Sequence, residues 1–402
     1  MNDNKILKPT FWKVVSAIIV TVGLFSTYYR FSLGLGATTN LHDNVPWGLW
    51  IGFDFLGVGL AAAGFTIAVT VHIFNIHKYE PLVRPAILTA FLGYSVVASL
   101  LIVDLGRPEN FWHPLVMWNI HSVMFEITWC LICYTTVLTL EIAPVVLEKF
   151  GLKAPIKYLK MISIPVVIAG VIFSTLHQSS FGSLYLIVPG KLHPLWYSSL
   201  LPVHFYISCI AAGLSMIIFE SYLVARAFTK ENGFHNTELK MSILSRAAYV
   251  VFITLIAGFL LKIYDFLNTG KLIYLTIAST ETYLFYLEIL LGTIVPIYLL
   301  SYRKYREDKK WLYIISICVI SGLILNRLNV SITGLVTSSG VNYFPSFDEI
   351  SITMLLVVLA ISAFRLIAKN FPVFVSEESE DLLNEKSAYK SEQLILSERY
   401  EQ

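Results

Sequence analysis

Charge is what this chain has least of. Only 14% of its 402 residues are Asp, Glu, Lys or Arg, whereas 56% are hydrophobic. A soluble domain of this length needs far more polar surface than that, so a water-soluble enzyme or binding module is excluded. The formal net charge of +2 gives no basic face for nucleic acid. Cysteine is also scarce. Cys130, Cys133, Cys209 and Cys318 all fall in apolar runs, and the CxxC at Cys130 has no second pair at metal-ligand spacing. They read as packing residues, and neither a disulfide nor an iron–sulfur cluster is expected. No small-residue cleavage site follows the first apolar run, Phe11–Tyr29, so that run reads as a spanning helix and not a signal peptide.

What remains is long hydrophobic segments. About 20 apolar residues cross the hydrocarbon, and helices satisfy their own backbone there. By that measure about ten spans are expected, near 11–30, 48–74, 84–104, 119–141, 160–180, 198–226, 245–268, 276–301, 311–333 and 348–368. The fold class is an all-α polytopic membrane protein, compatible with two four-helix bundles plus peripheral helices. The membrane domain is residues 1–371; the charged segment 372–402 reads as a cytoplasmic tail.

Basic residues gather on one side of these spans. Lys78 and Arg84; Lys149, Lys153, Lys157 and Lys160; Arg226, Lys230, Lys240 and Arg246; and the run Arg303–Lys310 alternate with loops holding only Arg30, Arg107, Lys191 and Lys271. The positive-inside rule therefore puts both termini in the cytoplasm of a cell with this protein in its inner membrane. The opposite loops, "NVPWGLW", "RPENFWHPLVMW" and "KLHPLWYSSLLP", are rich in Trp, Tyr, His and Pro. They suit an interface and a docking surface for a partner.

Ionisable residues inside spans are costly and are functional hypotheses by default. Asp54, Tyr94, Asp104, Glu126, His177 and Glu220 all lie in or at the ends of apolar segments of the first half. With the boundaries above, Asp104, Arg107 and His177 sit near the outer surface, Glu126 two turns in, Tyr94 at mid-membrane, and Arg84 and Glu220 towards the cytoplasm. Carboxyl, imidazole and phenol groups at graded depth can relay protons, while Arg84 would hold a carboxylate such as Glu220 ionised. Burial at Glu126 would favour a neutral acid able to pass a proton on. Each position also has a packing alternative: an Asp104–Arg107 pair at a helix end, a packed His177 or Tyr94, snorkelling at Arg84 and Glu220, or an Asp54 bonded to a nearby Trp or backbone. The stretch "GVGLAAAGF" permits close helix approach or leaves room for a flat ligand. In the second half Lys262 and Asp265 are spaced to pair within one helix, and Glu281, Glu288, Asn326 and Arg327 read as interhelical pairing. Haem would need two histidines facing each other at one depth. His121, His177 and His204 lie near outer ends and His72 and His77 near the inner end, without a repeated mid-helix pattern, so no haem is expected.

The stretches "VPWGLWIGFDF", "YEPLVRPAILTAFLGYS", "DLGRP", "VMFEITWC", "STLHQSSFGSLYLI", "KLHPLWYS" and "YFPSFDE" resemble the NrfD/PsrC family of membrane quinone-reactive subunits. Within it the likeness is to the HybB-type membrane subunit of nickel–iron hydrogenase, over about residues 11–370. The resemblance implies a haem-free subunit of roughly ten helices with a quinone (menaquinone or ubiquinone) site near its periplasmic face. It also implies a periplasmic iron–sulfur electron-transfer partner and hydrogenase large and small subunits. Carried over residue by residue, Arg84, Tyr94, Glu126, His177 and Glu220 match the family's proton-route positions. "GLAAAGF" departs from a more Gly/Cys-rich version at the pocket. The quinone itself is expected among Trp47, Asp54, Asp104, Glu126 and His177 at the outer ends of the second to fifth spans, with Trp50 also flanking the ring. The same role in a polysulfide, nitrite or other respiratory complex, or a proton-coupled secondary transporter, are the alternative readings.

Overall fold

The computed structural model describes residues 11–228 and 241–373. Lys230, Lys240 and residues 374–402 of the expected tail lie outside the described residues. Ten helices are long and apolar enough to cross a membrane. We number them α1 (Phe11–Leu33), α2 (Leu49–His72), α3 (Glu80–Asp104), α4 (Val123–Lys149), α5 (Ser163–Leu186), α6 (Leu201–Phe228), α7 (Met241–Asn268), α8 (Thr280–Ser301), α9 (Lys309–Ser339) and α10 (Phe347–Asn370). Among the described residues there is no strand, only one isolated bridge between His42 and Val45. A short helix, Lys153–Met161, runs between α4 and α5; it has no buried residue and carries Lys153, Lys157 and Lys160.

Packing divides the spans as the sequence allowed. α2 to α5 form one bundle and α6 to α9 a second, joined where α2 and α5 pack on α6 and α9. α1 and α10 pair with each other outside the first bundle, along α3. Small residues set the closest approaches. A Cβ on Gly213 of α6 would come within 2.5 Å of the Ala63 backbone nitrogen, and one on Gly57 within 2.6 Å of Val97. The Gly/Ala stretch of α2 therefore serves close helix approach, and helices fill the space a flat ligand would need.

Several boundaries differ from expectation, and two of these shifts matter most for the site. α4 begins at Val123, because the Ser122 side chain accepts from Phe125 N and caps it. The preceding residues turn through two short 3₁₀ segments, Pro108–Asn110 and His113–Leu115. α5 continues to Leu186 instead of ending near residue 180. The first shift moves Glu126 outward to the opening turn of its helix. The second moves His177 inward.

The aromatic-rich loops share one face of the bundle and the basic loops the other. On the aromatic face, Trp112, Trp118 and Phe344 are 44%, 65% and 75% exposed. Below them the ends of α2 and α10 are tied together. Tyr343 donates to the Glu349 carboxylate and accepts from Leu49 N at 3.0 Å. Glu349 also takes Asn40 N and Ser346 N, completing a capping box on α10. Burial, reinforced by that carboxylate, holds the Tyr343 phenol above its ordinary pKa, so it stays a donor.

Candidate functional site

The first bundle encloses a column of polar groups. At its centre Tyr94 of α3 and His177 of α5, both fully buried, place Oη and Nδ1 3.2 Å apart. Tyr134 of α4 packs edge-on to Tyr94, with ring centroids 4.6 Å apart. Phe181 closes the other side of His177 at 4.6 Å. Tyr94 lies ten residues from both Arg84 and Asp104, roughly 15 Å along the axis each way. His177 is nine residues, roughly 14 Å, from the end of α5. His177 is thus a mid-membrane group and not an outer one. Its Nε2 is buried without a hydrogen-bond partner.

The aromatic-face end of the column holds Asp54, Asp104 and Glu126. Asp54 is 2% exposed, and its Oδ1 has no partner. The expected bond to Trp is not made, since Trp50 Nε1 donates to Glu349 O instead. Asp104 does not pair with Arg107, which is exposed. The neighbouring cation is buried Arg30 of α1, which donates to the carbonyls of Val103 at 2.8 Å and Leu105 at 2.6 Å and lies within electrostatic reach of Asp104. Glu126 is exposed and accepts from Ser180 Oγ at 2.7 Å. The expectation of a carboxyl buried two turns deep fails here, because Ser122 starts the helix three residues earlier. Trp47 stands edge-on to Tyr185 at 5.5 Å, and Tyr185 in turn meets Phe55 at 6.1 Å. These rings form an aromatic wall beside Asp54.

At the basic-face end Glu220 of α6 accepts from Thr89 of α3, with both carboxylate oxygens 2.7 Å from Oγ1. Arg84 does not reach Glu220. It holds Glu148 of α4 in a two-pronged pair at 2.8 and 2.9 Å and also donates to Pro372 O. A second inner carboxyl, Glu141 of α4, lies two turns from Tyr134 on one helix face and within its electrostatic reach. The sequence reading passed over Glu141 because it placed the end of that span there.

A hydrogen-bond chain leads out of the column into the second bundle. Gln178 Nε2 donates to Val58 O at 2.7 Å, and Cys209 Sγ donates to Gln178 Oε1 at 2.6 Å. Arg327, 1% exposed, sits over the Phe205 ring at 3.6 Å. It donates to Cys209 Sγ at 3.4 Å and to Asn326 Oδ1 at 2.6 Å. Beyond it Glu288 gathers Trp196, Asn326, Asn329 and Lys262 as donors. The expected Lys262–Asp265 pair is not formed; Asp265 instead binds Lys271 at 3.0 Å.

No described cluster of three or more His, Cys, Asp or Glu has metal-holding geometry, and all four cysteines are free thiols. The chain is thus a polytopic helical membrane protein with carboxyl, imidazole and phenol groups at graded depth in one bundle. The chain belongs to the family described as "Polysulphide reductase, NrfD", whose model matches residues 37–339. It is 38% identical to a protein of Nitratidesulfovibrio vulgaris over 383 residues, covering 92% of this chain and 96% of that one. It is 31% identical to the "Probable Ni/Fe-hydrogenase 2 b-type cytochrome subunit" of Escherichia coli over 373 residues, covering 90% and 92%. It is 25% identical to the "Menaquinone reductase, integral membrane subunit" of Nitratidesulfovibrio vulgaris over 389 residues, covering 91% and 92%.

The second of those names speaks of a b-type cytochrome, whereas the sequence led us to expect no haem. A b-type haem needs two axial nitrogens facing across one void. His177 is closed in by Tyr94 and Phe181, and the cavity in the second bundle has one histidine in its wall, His204. Neither place sets two histidines face to face.

Proposed function

We propose that this chain is the quinone-reactive membrane subunit of a respiratory oxidoreductase, most plainly a nickel–iron hydrogenase. It passes electrons between an iron–sulfur partner on the aromatic face and the quinone pool. Hydrogenase large and small subunits would complete the complex. The aromatic face is periplasmic on this reading, since the basic loops mark the cytoplasm. Its exposed Trp112, Trp118 and Phe344 suit a docked protein. The similarity to the menaquinone reductase subunit supports the quinone chemistry, and that to the hydrogenase subunit supports the choice of complex. A sister complex acting on a sulfur, nitrogen or other oxyanion substrate would use the same chain in the same way.

One observation carries this reading: Asp54 Oδ1 and His177 Nε2 are among six buried side-chain polar atoms of the first bundle without a hydrogen-bond partner, the others being on Tyr134, Thr135, Ser174 and Tyr185. Buried groups of this kind are rare without a ligand or water to satisfy them. A quinone headgroup beside Trp47, Asp54, Asp104 and Glu126 would accept or donate there. Reducing it takes two electrons and two protons. The protons would enter at Glu220, with Glu141 beside that route, and pass Tyr94 and His177. A phenol and an imidazole sharing one hydrogen bond can hand a proton on by exchanging donor and acceptor roles. Arg84 would hold the entrance in shape through Glu148, while Glu126 would serve the headgroup end of the route.

The test is His177→Ala in the assembled complex. Quinone-dependent turnover should fall while dye reduction by the soluble partners stays intact. Equal loss of both activities would return His177 to a packing role.

A further inference from the structure

The second bundle contains a cavity of about 100 Å³, well apart in sequence from Asp54 and His177. Its walls come from α6, α7, α8 and α9. Three of them repeat one pattern, a polar residue with an apolar one seven positions deeper: His204 above Ala211, Lys262 above Leu255, Asn326 above Val319. Seven residues are two turns, roughly 10 Å. On α8, Glu288 lies level with the polar residues, and Gly292 forms the lower wall. Four antiparallel helices thus place four polar groups above a slot lined by Ala211, Leu255, Gly292 and Val319 together with Ser208, Thr254 and Thr293.

Hydrogen-bond accounting shows what such a crown can recognise. Glu288 Oε2 accepts from Trp196 at 2.8 Å and Asn329 at 3.0 Å; Oε1 accepts from Asn326 at 2.8 Å and Lys262 at 3.5 Å. That carboxylate is saturated. Lys262 uses one of its three protons there, and its side chain remains 22% exposed. The Lys262 ammonium keeps two protons for a ligand, and His204 can offer an N–H beside it. A matching head is therefore an acceptor. The enclosed volume is smaller than the roughly 150 Å³ of an apolar cavity that takes up benzene, so a ring would enter edge-first and stay partly outside. A mostly apolar pocket with a few converging polar groups is the usual form of a small-molecule site.

An exit for an apolar chain lies alongside. α7 packs closely on α6, and α9 on α6 and α8, whereas α7 and the outer half of α8 stand further apart and meet through side chains, Lys262 on Glu288 and Phe266 stacked on Phe285. Leu260 and Ile263 of α7 and Leu287 and Leu290 of α8 are exposed on that side. A π-helical turn, Leu290–Ile294, interrupts α8 at the seam; such turns recur at functional sites.

We propose that this cavity is a second quinone-class site. It takes a flat ring whose carbonyl oxygen accepts from Lys262 Nζ and His204, and whose isoprenoid chain leaves between α7 and α8. The site rests on the reading that this chain handles quinones, but not on the placement of the first site. The chain of bonds through Asn326, Arg327, Cys209 and Gln178 gives it a physical connection to the neighbour of His177.

The experiment uses the intact complex in membranes, illuminated with an azido-quinone carrying a short isoprenoid chain, with adducts mapped by mass spectrometry. Two sets of adducts are expected, one on first-bundle peptides around Asp54 and His177, the other on residues 254–262 and 319–326. Lys262→Met should lower the second set about tenfold, the effect of losing one charged hydrogen bond, and leave the first set unchanged. Gly258→Leu, which fills the slot against the flexible Ile207 side chain, should do the same. First-bundle adducts alone would overturn the second site and leave the proposed function standing. No adducts in either bundle would overturn both. Second-bundle adducts displaced by anionic phospholipid, and not by unlabelled quinone, would make the slot a lipid site and overturn the proposal.

Discussion

Tyr94 and His177 share a hydrogen bond of 3.2 Å at mid-membrane, between α3 and α5, which both run from the basic face to the aromatic face. Every group that can carry a proton from the basic face to the aromatic face of the first bundle must pass this pair or go around it. Tyr94→Phe keeps the ring contacts with Tyr134 and removes the hydroxyl. We expect assembly to be normal and quinone-coupled turnover to fall roughly 100-fold, the usual scale for a lost proton-transfer group. Steady-state kinetics with quinone and with a dye acceptor would separate the effects, and an unchanged quinone rate would remove Tyr94 from the route.

Arg84 and Glu220 are distinguishable by the same assay. Arg84 is paired to Glu148 and not to the inner acid. Glu148→Gln should therefore lower thermal stability slightly and leave quinone turnover near the parent value. Glu220→Gln should slow turnover without loss of stability. The reverse pattern would put the functional acid at Glu148.

Tyr343 links α2 to α10 through Leu49 N and Glu349. Tyr343→Phe leaves that amide and one carboxylate oxygen short of a partner, a cost of about 1–3 kcal/mol for each unsatisfied buried group. The expected readout is a lower melting temperature for the detergent-solubilised subunit and a raised KM for quinone, because α2 also carries Asp54. A changed kcat with unchanged stability would argue for a direct role in the chemistry.

Glycine positions give a packing test. Gly213→Leu would drive a side chain into the Ala63 backbone and should abolish assembly, whereas Gly106→Ala meets nothing within 4 Å and should be silent. Membrane yield of the two variants measures this directly.

The purified subunit is expected to show no Soret band and no stoichiometric iron. A reducible Soret band lost on changing His177 or His204 would contradict the arrangement around these residues.

Much of this was legible in the sequence. Helices in lipid must be about 20 apolar residues long, so ten spans and their order follow from composition alone. The candidate residues were visible for the same reason: an acid or imidazole in such a run stands out. Depth was harder to read. Residues 119–122 run directly into an apolar stretch and read as part of α4, and that small shift carried Glu126 from the headgroup end to an apparent interior. Partners were harder still. Arg84 with Glu148, and Lys262 with Glu288, join residues 64 and 26 positions apart, and the seam between helices decides them. Glu141, at the expected end of a span, needed only a longer α4 to be noticed. Asp54 and Tyr94 kept their expected places because α2 and α3 were bounded correctly to within a few residues.

The central claim is that protons for quinone reduction reach the first bundle from the basic, cytoplasmic face. The direct measurement is quinone turnover by the complex in oriented proteoliposomes, with pH-sensitive dyes on each side of the membrane. The account predicts proton uptake on the side of the basic loops, strongly reduced in step with turnover by Tyr94→Phe and Glu220→Gln. Uptake from the side of the aromatic loops, unaffected by Tyr94→Phe and Glu220→Gln, would contradict it.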